Sequence, residues 1–333
     1  MTTATETLTE IVAMATRAPS MHNTQPWRFL VAPASDDTIE GTLIEVREDP
    51  KRALPVGDPT GWGARVACGA AVFGLRLGIA VRGHRAETHI LPDPSEPELI
   101  ARVRVGPRHP STPVERDLHT AIPRRRTNRY PFSDVAPDAD TVARLVPAAR
   151  LEGAWLDVLR DPKRRATVAA LVREAQTRMN TDPAYRAEVQ SWVRDTDNSS
   201  DGVPRRAGGP SPAAYDLLAF RDFGNLSRSP GRDFERDPLV CVLGSDTDHA
   251  GAQVRVGMAL HRVLLTATAA GLSSSMLSQP VELPDLRRRL RAALGHTSGW
   301  PQMVLRFGYG VRTPATPRRP VSEVLDIAPI RTP

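Results

Sequence analysis

From Thr7 to Arg17 the apolar residues Leu8, Ile11, Val12 and Ala15 recur at helical spacing, which predicts an amphipathic first helix. Thr7 and Glu10 stand as a capping box at its start and Pro19 as its stop. Beyond it Trp27, Phe29 and Val31 alternate with Arg28 and Leu30, the period of a strand with one buried face. Arg65 to Arg82 is apolar nearly all round, with small residues at Gly69, Ala70, Gly74 and Gly78 and with Gly83 placed to end it. Such a helix is central and closely packed. Short strands at Glu87–Leu91 and Ala101–Val105 follow, then a helix from Val114 to Ile122 that runs into an arginine triplet.

Further on, the pattern predicts a helix at Asp140–Arg150, a strand at Trp155–Leu159 and helices near Arg164–Met179 and Pro183–Arg194. A buried strand at Leu239–Leu243, a long apolar helix at His249–Ala270 ended by Gly271, and a strand at Met303–Phe307 complete it. Between them Asp195 to Asp237 is dominated by Asn, Asp, Ser, Gly, Pro and Arg, interrupted only by Tyr215 to Phe220. A connection that long is a functional lid or a disordered segment. Its Gly202, Gly208, Gly209 and Pro204 permit hinges.

A weak internal repeat runs through this pattern. Gly69-Ala70-Ala71-Val72 leads fourteen residues later to Gly83, and Gly257-Met258-Ala259-Leu260 leads fourteen residues later to Gly271. Strands ending Val105-Gly106 and Phe307-Gly308 follow in each case. The repeat predicts two related halves with their long helices packed together; chance likeness between two Ala- and Gly-rich helices is the competing explanation.

Composition adds limits. A chain of 333 residues with 40% hydrophobic residues can bury a core for two domain-sized units. The net charge of +6 is almost all arginine, with Lys51 and Lys163 the two lysines, and it is spread along the chain. Lacking aromatic platforms between the arginines, the pattern excludes a nucleic-acid module. Cys68 and Cys241 lie far apart inside apolar segments, so neither a disulfide framework nor a Cys-x-x-Cys site is expected. No zinc spacing, dinucleotide glycine fingerprint, phosphate loop or hydrolase elbow is present. Met1 to Glu10 is polar and no run approaches about 18 uninterrupted apolar residues, so a cytoplasmic location away from membranes is expected.

Two stretches carry candidate chemistry. Pro19-Ser20-Met21-His22-Asn23-Thr24-Gln25-Pro26-Trp27 packs a hydroxyl, an imidazole and two amides into the turn between helix and strand. Those groups suit a ligand site, and equally suit capping the helix and satisfying the loop backbone. In Arg124-Arg125-Arg126-Thr127-Asn128-Arg129, residues Arg125, Thr127 and Arg129 alternate, so an extended segment presents two guanidiniums and a hydroxyl on one side. That is a phosphate or carboxylate clamp or a solvated basic strand.

Together the stretches resemble a known family. Pro19-Ser20-x-His22-Asn23-x-Gln25-Pro26-Trp27 is similar to the Pro-Ser-x-x-Asn-x-Gln-Pro-Trp segment of the FMN-dependent nitroreductase superfamily, and Arg125-Arg126-Thr127-Asn128-Arg129 with Phe132 to its Arg-Arg-Ser-x-Arg-x-Phe segment. The Acg-like branch is the nearer match: it has the motifs in this order, a Cys-Gly-Ala helix as at Cys68 to Ala70, and Pro-Arg-Arg-Pro as at Pro317 to Pro320. The resemblance covers about Ala13 to Val324 and is weakest in the lid.

The resemblance implies an α+β, nitroreductase-like fold of two tandem related halves, each a mainly antiparallel sheet flanked by helices. Residues 1–120 form the first, 121–333 the second, and 195–237 the lid. Ordinary members are interlocked homodimers with two FMN sites; here the subunits resemble a fused pair, an internal pseudo-dimer expected to be monomeric, with further pairing left open. One complete site is implied, hence one FMN per chain. Arg125, Thr127 and Arg319 would hold phosphate and ribityl chain, assisted by Arg318, with Arg126 also among the cofactor-binding residues. Arg129 would approach the pyrimidine edge of the flavin; Pro19, Ser20, His22 and Asn23 would line the ring; Ser278 and Gln279 would lie near N5. No side chain is a nucleophile, since the flavin performs the chemistry. NAD(P)H is the implied donor and a nitroaromatic or quinone the implied small-molecule acceptor. The alternative is an FMN-sequestering protein whose lid prevents turnover.

Overall fold

The computed structural model describes residues 3–34, 38–195, 198–213, 215–223, 233–295 and 299–327. Parts of the expected lid, 196–197, 214 and 224–232, therefore lie outside the described residues.

The chain opens with α1 (Ala4–Ala15), one turn earlier than the sequence pattern placed it. Thr3 and Glu6 make the capping box, while the Thr7 hydroxyl donates to the Thr3 carbonyl at 3.1 Å. Thr-x-x-Glu occurs twice, four residues apart, and the earlier copy caps because Ala4 extends the buried stripe of Leu8, Ile11 and Ala15. Then come β1 (Trp27–Ala32), β2 (Leu43–Glu48), α2 (Trp62–Val81), β3 (His84–Ile90) and β4 (Leu99–Arg108). As the alternation predicts, Trp27, Phe29 and Val31 are fully buried. The helix α3 (Pro113–Ala121) follows.

A second series begins with α4 (Ala139–Arg150) and β5 (Trp155–Val158). It is interrupted by α5 (Pro162–Thr181), α6 (Pro183–Ser191), β6 (Val193–Arg194), β7 (Val203–Pro204) and the single turn α7 (Arg205–Gly208). It resumes with β8 (Leu239–Ser245), α8 (Ala250–Ala269), β9 (Ser273–Leu277), the short α9 (Gln279–Glu282), α10 (Pro284–Ala293) and β10 (Trp300–Gly308). Last come α11 (Val321–Val324) and β11 (Leu325–Ile327).

The two series build the same sheet. The order is β1-β2-β4-β3 in one and β5-β8-β10-β9 in the other, antiparallel throughout, and β11 adds to the first as a parallel edge beside β1. Helices α2 and α8 are each 20 residues long and cross in contact between the sheets. Their contact is reciprocal. A Cβ on Gly69 would stand 2.1 Å from the Val254 carbonyl oxygen, and one on Gly257 would stand 2.0 Å from that of Val66, so only glycine admits this approach. Gly83 and Gly271 close the helices at φ +78° and +82°. The repeat glycines are thus explained by packing, and the fold is α+β with two related halves.

Helix α2 is, among the described residues, the one helix long and apolar enough to cross a membrane, by length and composition. Its residues are mostly buried in the protein, against α1, α3 and α8, as expected of a core helix apolar on all sides.

Candidate cofactor site

The connection from α1 to β1 is built under strain. His22, Asn23 and Gln25 all have left-handed backbones, at φ 49°, 57° and 53°, a conformation costing a non-glycine residue on the order of 1 kcal/mol or more. Side-chain hydrogen bonds hold it. The Ser20 hydroxyl accepts from the Gln25 amide at 3.0 Å. Asn23 donates to the carbonyls of Gly202 at 2.9 Å and Pro317 at 3.1 Å, and accepts from Arg318 at 2.9 Å. Gln25 donates to the Ser200 carbonyl at 2.9 Å and accepts from the Arg319 amide at 2.9 Å. These amides therefore pin the loop between the 200–202 segment and the irregular 317–319 segment, which leaves the turn around His22 to form a wall.

The arginine segment lies along β9: Thr127 bridges Ser274, and the Asn128 amide donates to the Ser274 carbonyl at 2.7 Å. Arg125 is buried and its Nη2 donates to the Arg17 carbonyl at 3.2 Å, while Nε and Nη1 have no partner. Arg318 reaches the same helix end, donating to the carbonyls of Thr16 at 2.8 Å and Ala18 at 3.2 Å. The negative end of α1 favours both cations. Burial, then Arg126, lowers Arg125 to about 10; burial, then Arg125, Arg17 and Arg126, pushes Arg318 down as well. Neither meets a carboxylate among the described residues. Like charges gathered in a buried place without a counter-ion suit an anion.

Arg126 is half-buried and donates to the carbonyls of Pro123 and Arg125 at 2.7 and 2.8 Å. Arg319 turns away from this cluster, 3.7 Å from Asp49 and 3.4 Å from Glu323. Of the adjacent arginines it is thus Arg318 that joins Arg125.

Arg129 belongs to a separate cavity of about 650 Å³, counting its open mouth. Pro19, Ser20 and His22 come from the strained loop, Trp62 from the start of α2, Arg129, Met276 and Ser278 from the second half, and Phe220, Arg221 and Phe223 from the connection between α7 and β8. Arg129 donates to the Ala207 carbonyl at 2.9 Å and lies 4.7 Å over the Phe223 ring. Burial, then Arg221, lowers it to about 10. The His22 ring packs edge-on to Phe223, and neither of its buried nitrogens has a protein partner. Burial, with Arg221 and Arg129 adding repulsion, keeps it neutral at pH 7. Gln279 lies elsewhere, buried and donating to Gln176 at 3.0 Å.

The roof is fastened by buried charge. Arg221 pairs with Glu282, contacts the Tyr185 hydroxyl, and donates to Ser278 Oγ at 3.2 Å. Farther along, the buried Glu235 pairs with Arg306 and accepts from the Phe132 amide at 3.0 Å, with Phe220 and Phe234 stacked 5.1 Å apart nearby. The contributions of Arg221, Phe223, Trp62 and Met276 are not among the residues expected from sequence. The signal available for the roof was the aromatic pair Phe220 and Phe223 inside a polar stretch.

A flat ring with a phosphate tail matches this chemistry. The unpartnered Arg125 N–H groups ask for an anion's acceptors, the cavity wall is aromatic and thioether, and His22 and Arg129 supply polar contacts.

The nitroreductase family model matches residues 3–59 and 122–309. Two Mycobacterium tuberculosis H37Rv proteins are each 32% identical to the chain over 332 residues. One is named "Putative NAD(P)H nitroreductase Rv3131", with 96% of this chain and 91% of the relative covered. The other is "Putative NAD(P)H nitroreductase acg", at 97% and 96%. The chain belongs to the nitroreductase family. Among solved structures, the FMN and NADPH-dependent nitroreductase NfnB from sphigopyxis sp. strain HMH is 21% identical, covering 63% of this chain and 97% of its own at a TM-score of 0.41.

Proposed function

We propose that the chain binds one FMN between its halves and passes electrons from NAD(P)H through it to a flat acceptor of the nitroaromatic or quinone class. The observation that carries this is the convergence, on one cavity and one buried arginine pair, of the two stretches whose motifs resemble the FMN-dependent family. Relatives spanning almost the whole chain are named as NAD(P)H nitroreductases, which supports the donor.

In this reading Arg125 and Arg318 hold the phosphate, with Arg126 and Thr127 beside them, and Arg319 braces the segment before α11 through Asp49 and Glu323. Arg129 sets positive charge at the ring and Ser20, Pro19 and His22 bound it. Asn23 holds that wall in place rather than touching the ring, and Gln279 supports Ser278 from the core. Bound FMN supplies reversible two-electron, hydride-accepting chemistry. The chain's own work is to orient the ring and exclude water: Phe220 and Phe223 cover the cavity, and neutral His22 offers a ring N–H and a lone pair without adding charge.

A second reading, FMN sequestration with little turnover, is favoured by the Arg221–Glu282 latch, which holds the lid by a buried ion pair. Adding NADPH and then NADH without oxygen to the FMN-saturated protein separates the two. Rapid bleaching is the expected result for the reductase. An oxidised spectrum that only dithionite bleaches would replace it with sequestration.

A further inference from the structure

The repeat pairs the helix end at which Arg125 and Arg318 gather with a second helix end. Helix α4 packs on α8 as α1 packs on α2, so the end of α4 is the counterpart of the end of α1. Equivalent positions of α2 and α8 keep a constant offset, Val66 and Val254, Gly69 and Gly257, Phe73 and His261: Gly69 packs on Val254, Gly257 on Val66, and Phe73 meets His261. At the first end the connection to the sheet is long, Thr16 to Pro26, and carries the whole strained loop. At the second it is the short turn Leu151 to Ala154.

That turn directs a carboxylate inward. Glu152, with its side chain 3% exposed, accepts from Arg76 of α2 at 2.5 Å on one oxygen and from Arg262 of α8 at 2.9 Å on the other. Both guanidiniums lie over the Phe73 ring, at 5.8 and 5.6 Å. No buried nitrogen of Arg76 or Arg262 lacks a partner, in contrast to Arg125.

We propose that Arg76 and Arg262, gathered at the helix end equivalent to that of Arg125 and Arg318 but from core-helix positions whose equivalents are Leu264 and Gly74, form a second oxyanion clamp, and that the chain's own Glu152 carboxylate fills it. A carboxylate presents to forked guanidiniums the same acceptor geometry that a phosphate does. The halves therefore repeat the fold, gather two cations at equivalent helix ends from unrelated positions, and differ in who supplies the anion. The parallel with the first clamp rests on the proposed flavin site; the clamp itself is tested without flavin as the probe.

In the FMN-saturated protein, Glu152→Ala leaves two facing cations that a small oxyanion can bridge. Melting is followed in chloride buffer as sodium sulfate replaces chloride at constant ionic strength, in the low millimolar range where general salting-out is slight. The variant is expected to melt below the parent in chloride and to regain several degrees, saturably, with sulfate; the parent is expected to respond little, and adding Arg262→Ala is expected to abolish the gain. Glu152→Ser, which also vacates the place of the carboxylate and suits a turn, is expected to give the same readout should the alanine variant not fold. An equal sulfate response in parent and variants would overturn the clamp. A chain that takes up no flavin, yet whose Glu152 variants respond to sulfate, would reject the flavin site and uphold the clamp.

Discussion

Two halves of this molecule share a strand order, a 20-residue core helix and a reciprocal glycine contact, yet differ in the connections that leave their first helices and in what is inserted afterwards. In the first half a long, strained loop leaves α1 and walls a cavity. In the second a short turn seals the corresponding helix end with Glu152, and the added chain between β5 and β8 lines the cavity that both halves share. Symmetry thus resides in the packed core and function in the connections, as expected where core contacts fix a fold and loops carry sites.

The largest expected effect comes from the insertion. Glu282→Ala strands the buried Arg221 without its carboxylate, a change worth about 3 to 5 kcal/mol, and is expected to speed proteolysis in 199–223 and to raise NAD(P)H oxidation in the FMN-loaded protein. Proteolysis that speeds while oxidation stays low would favour sequestration over gating. Next is the shared core. Gly257→Ala forces a methyl group against the Val66 carbonyl, and a loss of about 3 kcal/mol by denaturant unfolding is expected, since neither helix can yield alone. Unchanged stability would show that the helices do not meet as closely as described.

A smaller effect sharpens the axis itself. His261, fully buried, faces its counterpart Phe73, and its Nδ1 lies 2.6 Å from the Ala70 carbonyl. Burial, then Arg125 and Arg318, lowers it to about 3, against an opposing pull from the Ala70 carbonyl. Because the folded value lies below the unfolded one near 6.5, protons bind the unfolded chain first as pH falls. The contribution is full above about 6.5 and is lost on the way down to about 3. Between pH 6.5 and 5 this amounts to about 2 kcal/mol, which His261→Phe, making the pair alike, is expected to remove from the pH profile. An unaltered profile would place the acid sensitivity elsewhere, with His22, lowered in the same direction, the next group to substitute.

Much of this was legible in sequence. Long apolar stretches read correctly because their period is set by burial: α2, α8 and β1 fall where the pattern put them, within a turn or less. Strand β9 escaped notice because Ser273-Ser274-Ser275 lacks strand-forming residues and is held by β10 and the arginine segment. The Asn23 and Gln25 motif was visible, but not that its amides serve the backbone at Ser200, Gly202, Pro317 and Arg319. Which of Arg318 and Arg319 approaches Arg125 depends on the path of an irregular segment held by tertiary contacts, and no local pattern encodes it.

We propose a single flavin per chain, its phosphate held where Arg125 and Arg318 meet the end of α1. Equilibrium dialysis against FMN, on the parent and on Arg125→Ala with Arg318→Ala, tests it most directly. One FMN per parent chain is predicted, with affinity weakened by about 10²-fold or more in the double variant, as losing charged hydrogen bonds to a phosphate requires. Two FMN per chain, or full retention by a folded double variant, would contradict it.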